Sequence, residues 1–291
     1  MTAPPLATKL FLDSGDPAES RLTKDLFGRL DGQTTNPSLI AKNPDLQKRI
    51  ADGEKLSREE ANEFYKATLI EIAKVTDGPI SVEVYADEHS SVDDLYKQSE
   101  KMFGWIDNAY IKYPITAAGL GAAEKSIAAG MRVNMTLCFT QQQAAAVYAA
   151  TKGTKDPAFV SPFVGRLDDK GKNGMELIAN ILKMYGAGDN HVETLTASVR
   201  SADHLMYALA LKSPLITAPL KVYESWAGVD YGLPGPDYHY DHGGTRPIAY
   251  EEVSLEEGWQ DYDIHHPLTD AGQKKFAEDW TSLIAEPSAK A

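Results

Sequence analysis

The sequence contains a single cysteine, Cys138, and fewer basic than acidic residues. One cysteine cannot form an internal disulfide, so nothing indicates an oxidising compartment. The 29 lysines and arginines against 42 aspartates and glutamates give a net charge of −13, which argues against nucleic acid or an anionic membrane as a partner. Residues 1–5 lack the features of a signal peptide, and no run of about 20 apolar residues could span a membrane. We therefore expect a soluble cytoplasmic protein.

Nucleotide-binding motifs, internal repeats and regular metal-ligand spacings are also missing. No GxGxxG or GxxxxGK sequence follows an early strand-like segment, which removes the best support for a nucleotide-dependent enzyme. No repeat with a period of about 20 to 50 residues is present. Histidines and aspartates cluster at residues 239–242 and 263–266, but their spacing matches no helical ligand pair, so we predict no metal site.

What the sequence does contain is a regular alternation of short apolar segments with amphipathic stretches. The apolar segments lie at residues 9–12, 32–35, 80–84, 109–113, 131–137, 158–162, 192–197 and 215–217. Helix-start signals occur between them, as in Ser57 with Glu60 and Thr140 with Gln143, and Gly186 marks a helix stop. Apolar strands alternating with helices are typical of a parallel sheet buried on both faces. Eight such units predict an α/β fold, a (β/α)₈ barrel, rather than an open sheet.

The alternation ends near residue 219. An aromatic stretch rich in glycine and histidine follows at residues 231–266, and then a last amphipathic helix. Its apolar stripe consists of Phe276, Trp280, Leu283 and Ile284. We predict one barrel domain over residues 1–291, with residues 219–291 as a C-terminal helical extension that packs on the barrel. If the tail is a lid, deleting residues 231–291 should remove activity and leave a folded barrel.

Lys112 is the first candidate for chemistry, because it lies near the end of a predicted strand among apolar residues. Pro114 marks the point where strand pairing must stop. Active sites of such barrels lie at the carboxyl ends of the strands. Apolar neighbours disfavour the charged ammonium and leave a neutral amine that can add to a ketone. The alternative is a lysine whose stem is buried and whose charged end reaches water.

Two carboxylates also end predicted strands. Asp13 ends the first strand and Glu83 the third, so both would point into the same barrel mouth. Carboxylates beside an amine suit acid–base steps. Either group could instead cap a helix or form an ion pair.

A possible anion site follows the sixth and seventh strands. Arg166 comes after the sixth strand, and Ser198 and Arg200 come after the seventh, at the start of a helix. Barrels often bind phosphate at this position, and two guanidinium groups would supply local positive charge. Each arginine could equally form a surface ion pair. Cys138 has no histidine placed to activate it, and we expect a buried apolar residue there.

Several of these segments resemble motifs of the transaldolase family, which includes the fructose 6-phosphate aldolases. FLDSGD at residues 11–16 is similar to the first-strand motif of the family, and TTNPS at residues 34–38 is similar to a highly specific signature. Further similar segments are SVEV at 81–84, IKYPIT at 111–116, NMTL at 134–137, SPFVGR at 161–166 and ASVR at 197–200. The resemblance spans the barrel.

The resemblance implies transfer of a dihydroxyacetone unit from fructose 6-phosphate or sedoheptulose 7-phosphate to an aldose phosphate. Lys112 would form the Schiff base and Asp13 would act as acid and base, while Glu83 and Thr136 would position a water. The implied substrate contacts are Thr35, Asn36, Asn134, Ser161, Phe163, Arg166, Ser198 and Arg200. The partners are then sugar phosphates, with no metal or organic cofactor. The sequence leaves open whether the protein forms a homo-oligomer.

Phe163 favours a transaldolase over a fructose 6-phosphate aldolase. The aldolases carry a tyrosine at the matching position, and its hydroxyl helps to release the enamine by protonation. The alternatives are that aldolase, which would release free dihydroxyacetone, and a transaldolase acting on a sulfonated sugar. A different class of protein, a non-catalytic sugar-phosphate binder, would bind the sugar without covalent trapping.

Overall fold

The computed structural model describes residues 3–235 and 237–284, and these residues contain eight strands that close into a parallel barrel. Each strand pairs with the next along the chain, and the last pairs with the first. The strands are β1 (Lys9–Asp13), β2 (Gly32–Thr34), β3 (Ile80–Glu83), β4 (Ala109–Pro114), β5 (Val133–Cys138), β6 (Ala158–Pro162), β7 (Val192–Thr196) and β8 (Leu215–Ala218). The predicted (β/α)₈ barrel and the positions of its strands are confirmed.

Helices cover the outside of the barrel and follow every strand. They are α1 (Pro17–Phe27), α2 (Pro37–Ala41), α3 (Pro44–Ala51), α4 (Arg58–Ala73), α5 (Val92–Phe103), α6 (Ala117–Ala128), α7 (Gln141–Ala150), α8 (Val164–Asp168), α9 (Gly174–Tyr185), α10 (Ala202–Ala210), α11 (Leu220–Ala227) and α12 (Pro267–Thr281). A short 3-10 helix spans Trp259–Asp261. None of the helices in the described residues is long and apolar enough to cross a bilayer.

The predicted helix boundaries follow from their capping chemistry. Ser57 and Glu60 form a reciprocal capping box at the start of α4, which satisfies backbone N–H groups that have no partner within the helix. The Thr140 side chain accepts a hydrogen bond from the Gln143 backbone N–H at the start of α7. Helix α9 ends where predicted, at Gly186.

Side chains of alternate strand residues fill the barrel in layers. Phe11, Tyr110 and Phe159 point inward, with Tyr110 stacked on Phe159 at 4.3 Å between ring centroids. Gly32 leaves room for the Phe11 ring, because a Cβ there would lie 2.5 Å from it. Two residues further along their strands, Asp13, Lys112 and Ser161 form a polar layer above this aromatic plug. The period of two residues in a strand therefore places the candidate chemistry directly above an apolar floor.

The C-terminal residues run along the outside of the barrel and then cross its mouth. Gln141 of α7 exchanges two hydrogen bonds with the Glu251 backbone, at 2.9 and 2.8 Å. The predicted last helix is confirmed as α12, and Phe276 and Trp280 are buried in the main core cluster. Leu283 is buried too but lies beyond the helix end. Residues 285–291 of the predicted extension lie outside the described residues.

Candidate active site

A cavity of about 270 Å³ opens at the carboxyl ends of the strands, beneath α12. The predicted site residues that line it are Asp13, Asn36, Lys112, Ser161, Phe163, Arg166, Ser198 and Arg200. The other four, Thr35, Glu83, Asn134 and Thr136, are buried behind this lining. Barrel closure therefore brings together predicted residues from seven strands or the turns after them, and Thr217 of the eighth strand also lines the cavity.

Lys112 lies at the floor of the cavity and is only 2% exposed. The strand register places it between Glu83 of β3 and Asn134 of β5. Its Nζ is 3.0 Å from Glu83 Oε2 and donates a hydrogen bond of 3.1 Å to the Thr35 carbonyl oxygen. The amine thus meets the cavity on one side and a buried carboxyl group on the other.

The Glu83 carboxyl group is buried, and this burial dominates its titration. Burial raises the pKa of Glu83 by more than the neighbouring Lys112 charge lowers it. Apart from the 3.0 Å contact between Glu83 Oε2 and Lys112 Nζ, neither Glu83 Oε2 nor Thr136 Oγ1 has a hydrogen-bond partner within the described residues. Both residues face the barrel interior on the strands that flank β4. Buried polar atoms of this kind usually bind water.

Asp13 lies on β1 and reaches the same cavity. Thr34 donates a 2.7 Å hydrogen bond to Asp13 Oδ1, and the Thr34 and Thr217 hydroxyl oxygens are 2.6 Å apart. Burial raises the pKa of the Asp13 carboxyl group, and the Lys112 charge and the Thr34 hydrogen bond offset only part of this rise. Thr34 belongs to the TTNPS segment, whereas Thr217 had no motif to reveal it. An acid with a raised pKa exchanges protons more readily near neutral pH.

A row of hydrogen bonds orients the polar groups on the β5 and β6 side. Asn134 donates to Ser81 Oγ at 2.9 Å and accepts from Ser161 Oγ at 2.8 Å. The Asn134 amide is therefore fixed from both ends, and Ser161 presents its oxygen at the cavity. A group held in this way loses little conformational freedom when a substrate binds.

Thr35 and Asn36 serve the site in different ways. The Thr35 side chain turns away from the cavity, where its Oγ1 donates to the Ser81 carbonyl oxygen and lies 2.7 Å from the Tyr65 hydroxyl. Only its carbonyl oxygen contacts the Lys112 amine. The Asn36 side chain lines the cavity and accepts a 2.9 Å hydrogen bond from the Leu39 backbone N–H, which caps α2. Its amide nitrogen is left to donate.

Two aromatic rings hold the Arg166 guanidinium group. Its Cζ lies 5.1 Å from the Phe163 ring centroid and 5.2 Å from that of Phe276 in α12. Gly272 of the same helix allows this close approach, because a Cβ there would collide with the guanidinium group. These cation–π contacts hold the Arg166 guanidinium group in one orientation. Its N–H groups remain available to donate hydrogen bonds, because the contacts use only the flat face of the group.

Ser198 and Arg200 lie after β7, where the backbone turns sharply. Ser198 has a left-handed φ of 56°, and its carbonyl oxygen accepts a 3.1 Å hydrogen bond from the Gly165 N–H. The Arg200 guanidinium group packs over Gly165 and forms an ion pair with Asp169. The turn after β7, which carries Arg200, is thus joined to α8, which carries Arg166, by a backbone hydrogen bond and by a side-chain ion pair.

His204, which the sequence did not single out, supports the Arg200 segment. Its Nδ1 accepts a hydrogen bond from the Arg200 backbone N–H at 3.3 Å, and its Nε2 lies 2.7 Å from Asp168 Oδ2. Burial by itself raises the pKa of Asp168, but the hydrogen bonds from His204 and the Gly174 N–H bring it below its usual value. His204 therefore links the turn after β7 to the end of α8.

Helices α2 and α12 and the residue that follows α2 add further residues to the cavity, of which only Ser38 belongs to a motif segment that the sequence singled out, TTNPS. They are Ser38, Leu39, Lys42, Lys275, Phe276 and Asp279. Cys138 is buried as predicted, and burial raises the pKa of its thiol to about 12. No group of three or more potential metal ligands is found in the part of the chain that the structure describes.

The fold and the site define a (β/α)₈ barrel of enzyme type, with an amine, carboxyl groups and basic residues converging at the carboxyl ends of the strands. A family model for transaldolase/fructose-6-phosphate aldolase matches residues 10–286. A probable transaldolase of Brucella ovis is 35% identical over 272 residues, covering 94% of this chain and 96% of that protein. Another, of Myxococcus xanthus, is 34% identical over 284 residues, covering 97% and 99%. The chain belongs to the transaldolase/fructose-6-phosphate aldolase family, and this membership supports an enzyme that transfers aldehyde or ketone groups.

Proposed function

We propose that this protein is a transaldolase that moves a three-carbon dihydroxyacetone unit from a ketose phosphate to an aldose phosphate. Fructose 6-phosphate and sedoheptulose 7-phosphate, sugars of the pentose phosphate pathway, are the proposed donors. One observation carries the proposal above all: the buried Lys112 amine faces the cavity with Glu83 Oε2 at 3.0 Å. A ketone that enters the cavity meets this amine at its floor.

Imine formation is the first step. Glu83, whose pKa is raised by burial, can take a proton from Lys112 and leave a neutral amine that attacks the C2 carbonyl carbon. The resulting carbinolamine loses its hydroxyl group as water after receiving a proton. A water held between Glu83 and Thr136 would relay these protons, a role supported by the buried Thr136 Oγ1, which has no partner among the described residues, and by the buried Glu83 Oε2 beside the Lys112 amine.

Carbon–carbon cleavage is the second step and depends on Asp13. The ionised carboxylate takes the proton of the C4 hydroxyl group while the C3–C4 bond breaks. The bonding electrons move into the imine and give an enamine on Lys112, and C4 leaves as the aldehyde of an aldose phosphate. The enamine then attacks a second aldehyde, and Asp13 returns the proton to the new hydroxyl group.

The remaining predicted residues would hold the substrate. Ser161 and Asn36 offer hydrogen-bonding groups to the sugar hydroxyls, and Asn134 orients Ser161. Thr35 would act through its carbonyl oxygen on Lys112 rather than through its side chain. The groups proposed to bind the phosphate are Arg166, Ser198 and Arg200.

We also propose that residues 1–291 act as one barrel domain, with residues 219–291 as an extension that contributes to the site through α12. This division is supported by the Phe276 ring, which packs against Arg166 inside the cavity. The chemistry described needs no metal or organic cofactor, because the imine itself accepts the electrons of the broken bond.

Fructose 6-phosphate aldolase is the second candidate, since the family model covers both activities. The same lysine would form the same enamine, which would then be protonated and hydrolysed to free dihydroxyacetone. Phe163 argues against this outcome, because its ring lines the cavity and carries no hydroxyl group to protonate the enamine.

Borohydride trapping tests the proposal. The protein is incubated with fructose 6-phosphate and reduced, and the adduct is located by peptide mass spectrometry, with Lys112→Met as the control. A dihydroxyacetone-sized adduct on Lys112 is expected, and adding erythrose 4-phosphate before reduction should discharge it into sedoheptulose 7-phosphate. No adduct, or an adduct on another lysine, would contradict the mechanism. Release of dihydroxyacetone without an acceptor would favour the aldolase.

A further inference from the structure

The cavity has basic residues on two of its walls, not only on the wall that the sequence indicates. Arg166 and Arg200 follow β6 and β7, whereas Lys42 follows α2 and Lys275 lies on α12. The chain as a whole carries a net charge of −13, so a cavity lined by this many basic residues differs from the rest of the protein and calls for a physical explanation. These like charges repel each other, the Asp13 and Asp279 carboxyl groups of the lining offset only part of this repulsion, and a bound anion would reduce it further.

Barrel order places Lys42 and Arg166 on opposite sides of the mouth. Lys42 ends the helix α2 that follows β2, and β2 lies four strands from β6, which precedes Arg166. Asp13 on β1 lies between Lys42 on one side and the β7 turn with Arg200 on the other. A sugar chain that runs from Lys112 past Asp13 therefore carries its distal end between both walls.

Helix α12 bridges the walls and brings Lys275 to the cavity. Phe276 of this helix contacts Arg166, and Asp279 accepts a hydrogen bond from Ser38 of α2. Lys275 forms an ion pair with Asp279 one turn further along, and the Lys275 side chain stays 61% exposed. The helix thus presents at the cavity a cation that, within the described residues, forms an ion pair with one neighbouring carboxylate.

Lys42 completes this second group of charges. Among the described residues, no carboxylate oxygen lies within 4.0 Å of its Nζ. Partial burial by itself raises the pKa of Asp279, but the Lys275 and Ser38 contacts and the Lys42 charge bring it below its usual value. Asp279 therefore stays ionised and shares its charge between the two lysines.

We propose that Lys42 and Lys275 form a second anion-binding wall, on α2 and α12, that contacts the distal phosphate of the sugar together with Arg166 and Arg200. This inference rests on the proposed function and adds two specificity-determining residues to it. Lys275 turns from Asp279 to the phosphate when the sugar binds, which a flexible and exposed lysine can do at little cost. The wall selects phosphorylated over uncharged aldehydes and plays no part in the bond-breaking steps.

Kinetics with a charged and an uncharged acceptor provide the first test. Lys42→Gln and Lys275→Gln should each raise KM for glyceraldehyde 3-phosphate about three- to fivefold, and the double variant about tenfold, with kcat unchanged. KM for glyceraldehyde should stay the same. Lys274→Gln is the matched control, because Lys274 is adjacent on α12, is 77% exposed and does not line the cavity. Equal KM changes for both acceptors would overturn the proposal.

Asp279→Asn gives a prediction of opposite sign. Without the competing carboxylate, Lys275 is free for the phosphate, so KM for glyceraldehyde 3-phosphate should fall. A rise in this KM equal to that of Lys275→Gln would mean that Lys275 acts only as part of a surface pair on the helix, and would overturn the assigned role.

Direct binding separates a failure of this inference from a failure of the proposed function. Titration with inorganic phosphate by calorimetry needs no turnover, and its Kd should rise about three- to fivefold in Lys275→Gln and stay unchanged in Lys274→Gln. If no Lys112 adduct forms but this pattern appears, the anion wall stands and the transaldolase does not. If wild-type transfer is observed but both lysine variants bind phosphate as the parent does, only the wall is wrong.

Discussion

The Nζ atom of Lys112 lies 3.0 Å from Oε2 of Glu83, and both side chains are 3% exposed. The pairing is a direct result of the barrel register, which places the two residues opposite each other on β3 and β4. Two charges taken out of water at this depth stabilise a fold little, because the desolvation of each ion offsets their attraction. The pair is therefore a weak source of stability for the fold.

Substitutions in the Lys112–Glu83 pair should affect stability and activity differently. Lys112→Met should cost about 3 kcal/mol of unfolding free energy, because it leaves Glu83 buried without its partner. The pKa of Glu83 is already raised, so the loss should grow as the pH rises and the lone carboxyl group must ionise. Adding Glu83→Gln should restore most of the stability but no activity. Chemical denaturation at several pH values measures this, and a double variant as unstable as the single one would contradict it.

Thr136 provides a second prediction, because its buried hydroxyl has no partner among the described residues. Thr136→Val should leave stability equal or slightly higher, since an unpaired polar atom is removed without changing the shape. If Thr136 positions the relay water, kcat should fall about 10- to 100-fold. Thr194→Val is the control, because the Thr194 hydroxyl is also buried and unpaired in the described structure but lies on β7, which does not flank the strand that carries Lys112. Equal kcat values for both variants would remove Thr136 from the mechanism.

Asp13 should show a trade-off between stability and activity that depends on pH. Burial raises its pKa above the usual value of 3.8. Its contribution to stability is therefore present at low pH and is lost as the pH rises through the folded-state pKa. At pH 7 we expect Asp13→Asn to be about 1 kcal/mol more stable than the parent, with the difference vanishing towards acid pH, while kcat falls at least about 100-fold. Thermal unfolding between acid and neutral pH checks the sign, and a less stable variant at pH 7 would show that the Lys112 attraction outweighs burial.

A hydroxyl group at Phe163 should change the fate of the enamine. Phe163→Tyr places a phenol in the cavity that can protonate the enamine carbon, so free dihydroxyacetone should form from fructose 6-phosphate alone. Phe276→Tyr is the control, because Phe276 also lines the cavity and packs on the other side of Arg166. An assay for dihydroxyacetone without acceptor distinguishes the two. Release by the Phe276 variant alone would place the enamine nearer to α12 than we propose.

The role of the tail can be tested with two tryptophans. Trp280 of α12 is 4% exposed and packs on Tyr65 at 5.8 Å between ring centroids. Trp280→Ala should cost about 3 to 5 kcal/mol and weaken substrate binding, because α12 forms part of the cavity. Trp259, in the 3-10 helix before α12, is only partly buried, and Trp259→Ala should cost about 1 kcal/mol. A stable but inactive Trp280 variant would indicate a lid rather than a structural helix.

Much of the fold was predictable because its signals are local. Strand-like apolar segments, the Ser57 capping box and the helix stop at Gly186 depend on residues close together in sequence. The candidate chemistry was predictable for a related reason. In a barrel the carboxyl ends of all strands meet at one mouth, so Asp13 and Lys112 could be placed together without knowing the path between them.

Other features depend on how distant elements pack, and no local signal reveals them. The sequence indicated apolar surroundings for Lys112, whereas the register supplies Glu83 as a partner. Thr35 belongs to the TTNPS segment, yet its side chain turns outward to Tyr65 and only its carbonyl oxygen meets Lys112.

By itself, the sequence determined the barrel, the order of its strands and the lysine at the end of the fourth strand, because short-range periodicity and capping fix these. Only the tertiary structure decided that α12 would cross the mouth and bring Lys275 towards Lys42. The position of α12 follows from burial of Phe276 and Trp280 against residues far away in the chain. Such packing is non-directional and depends on the shape of the assembled surface, which no single segment encodes.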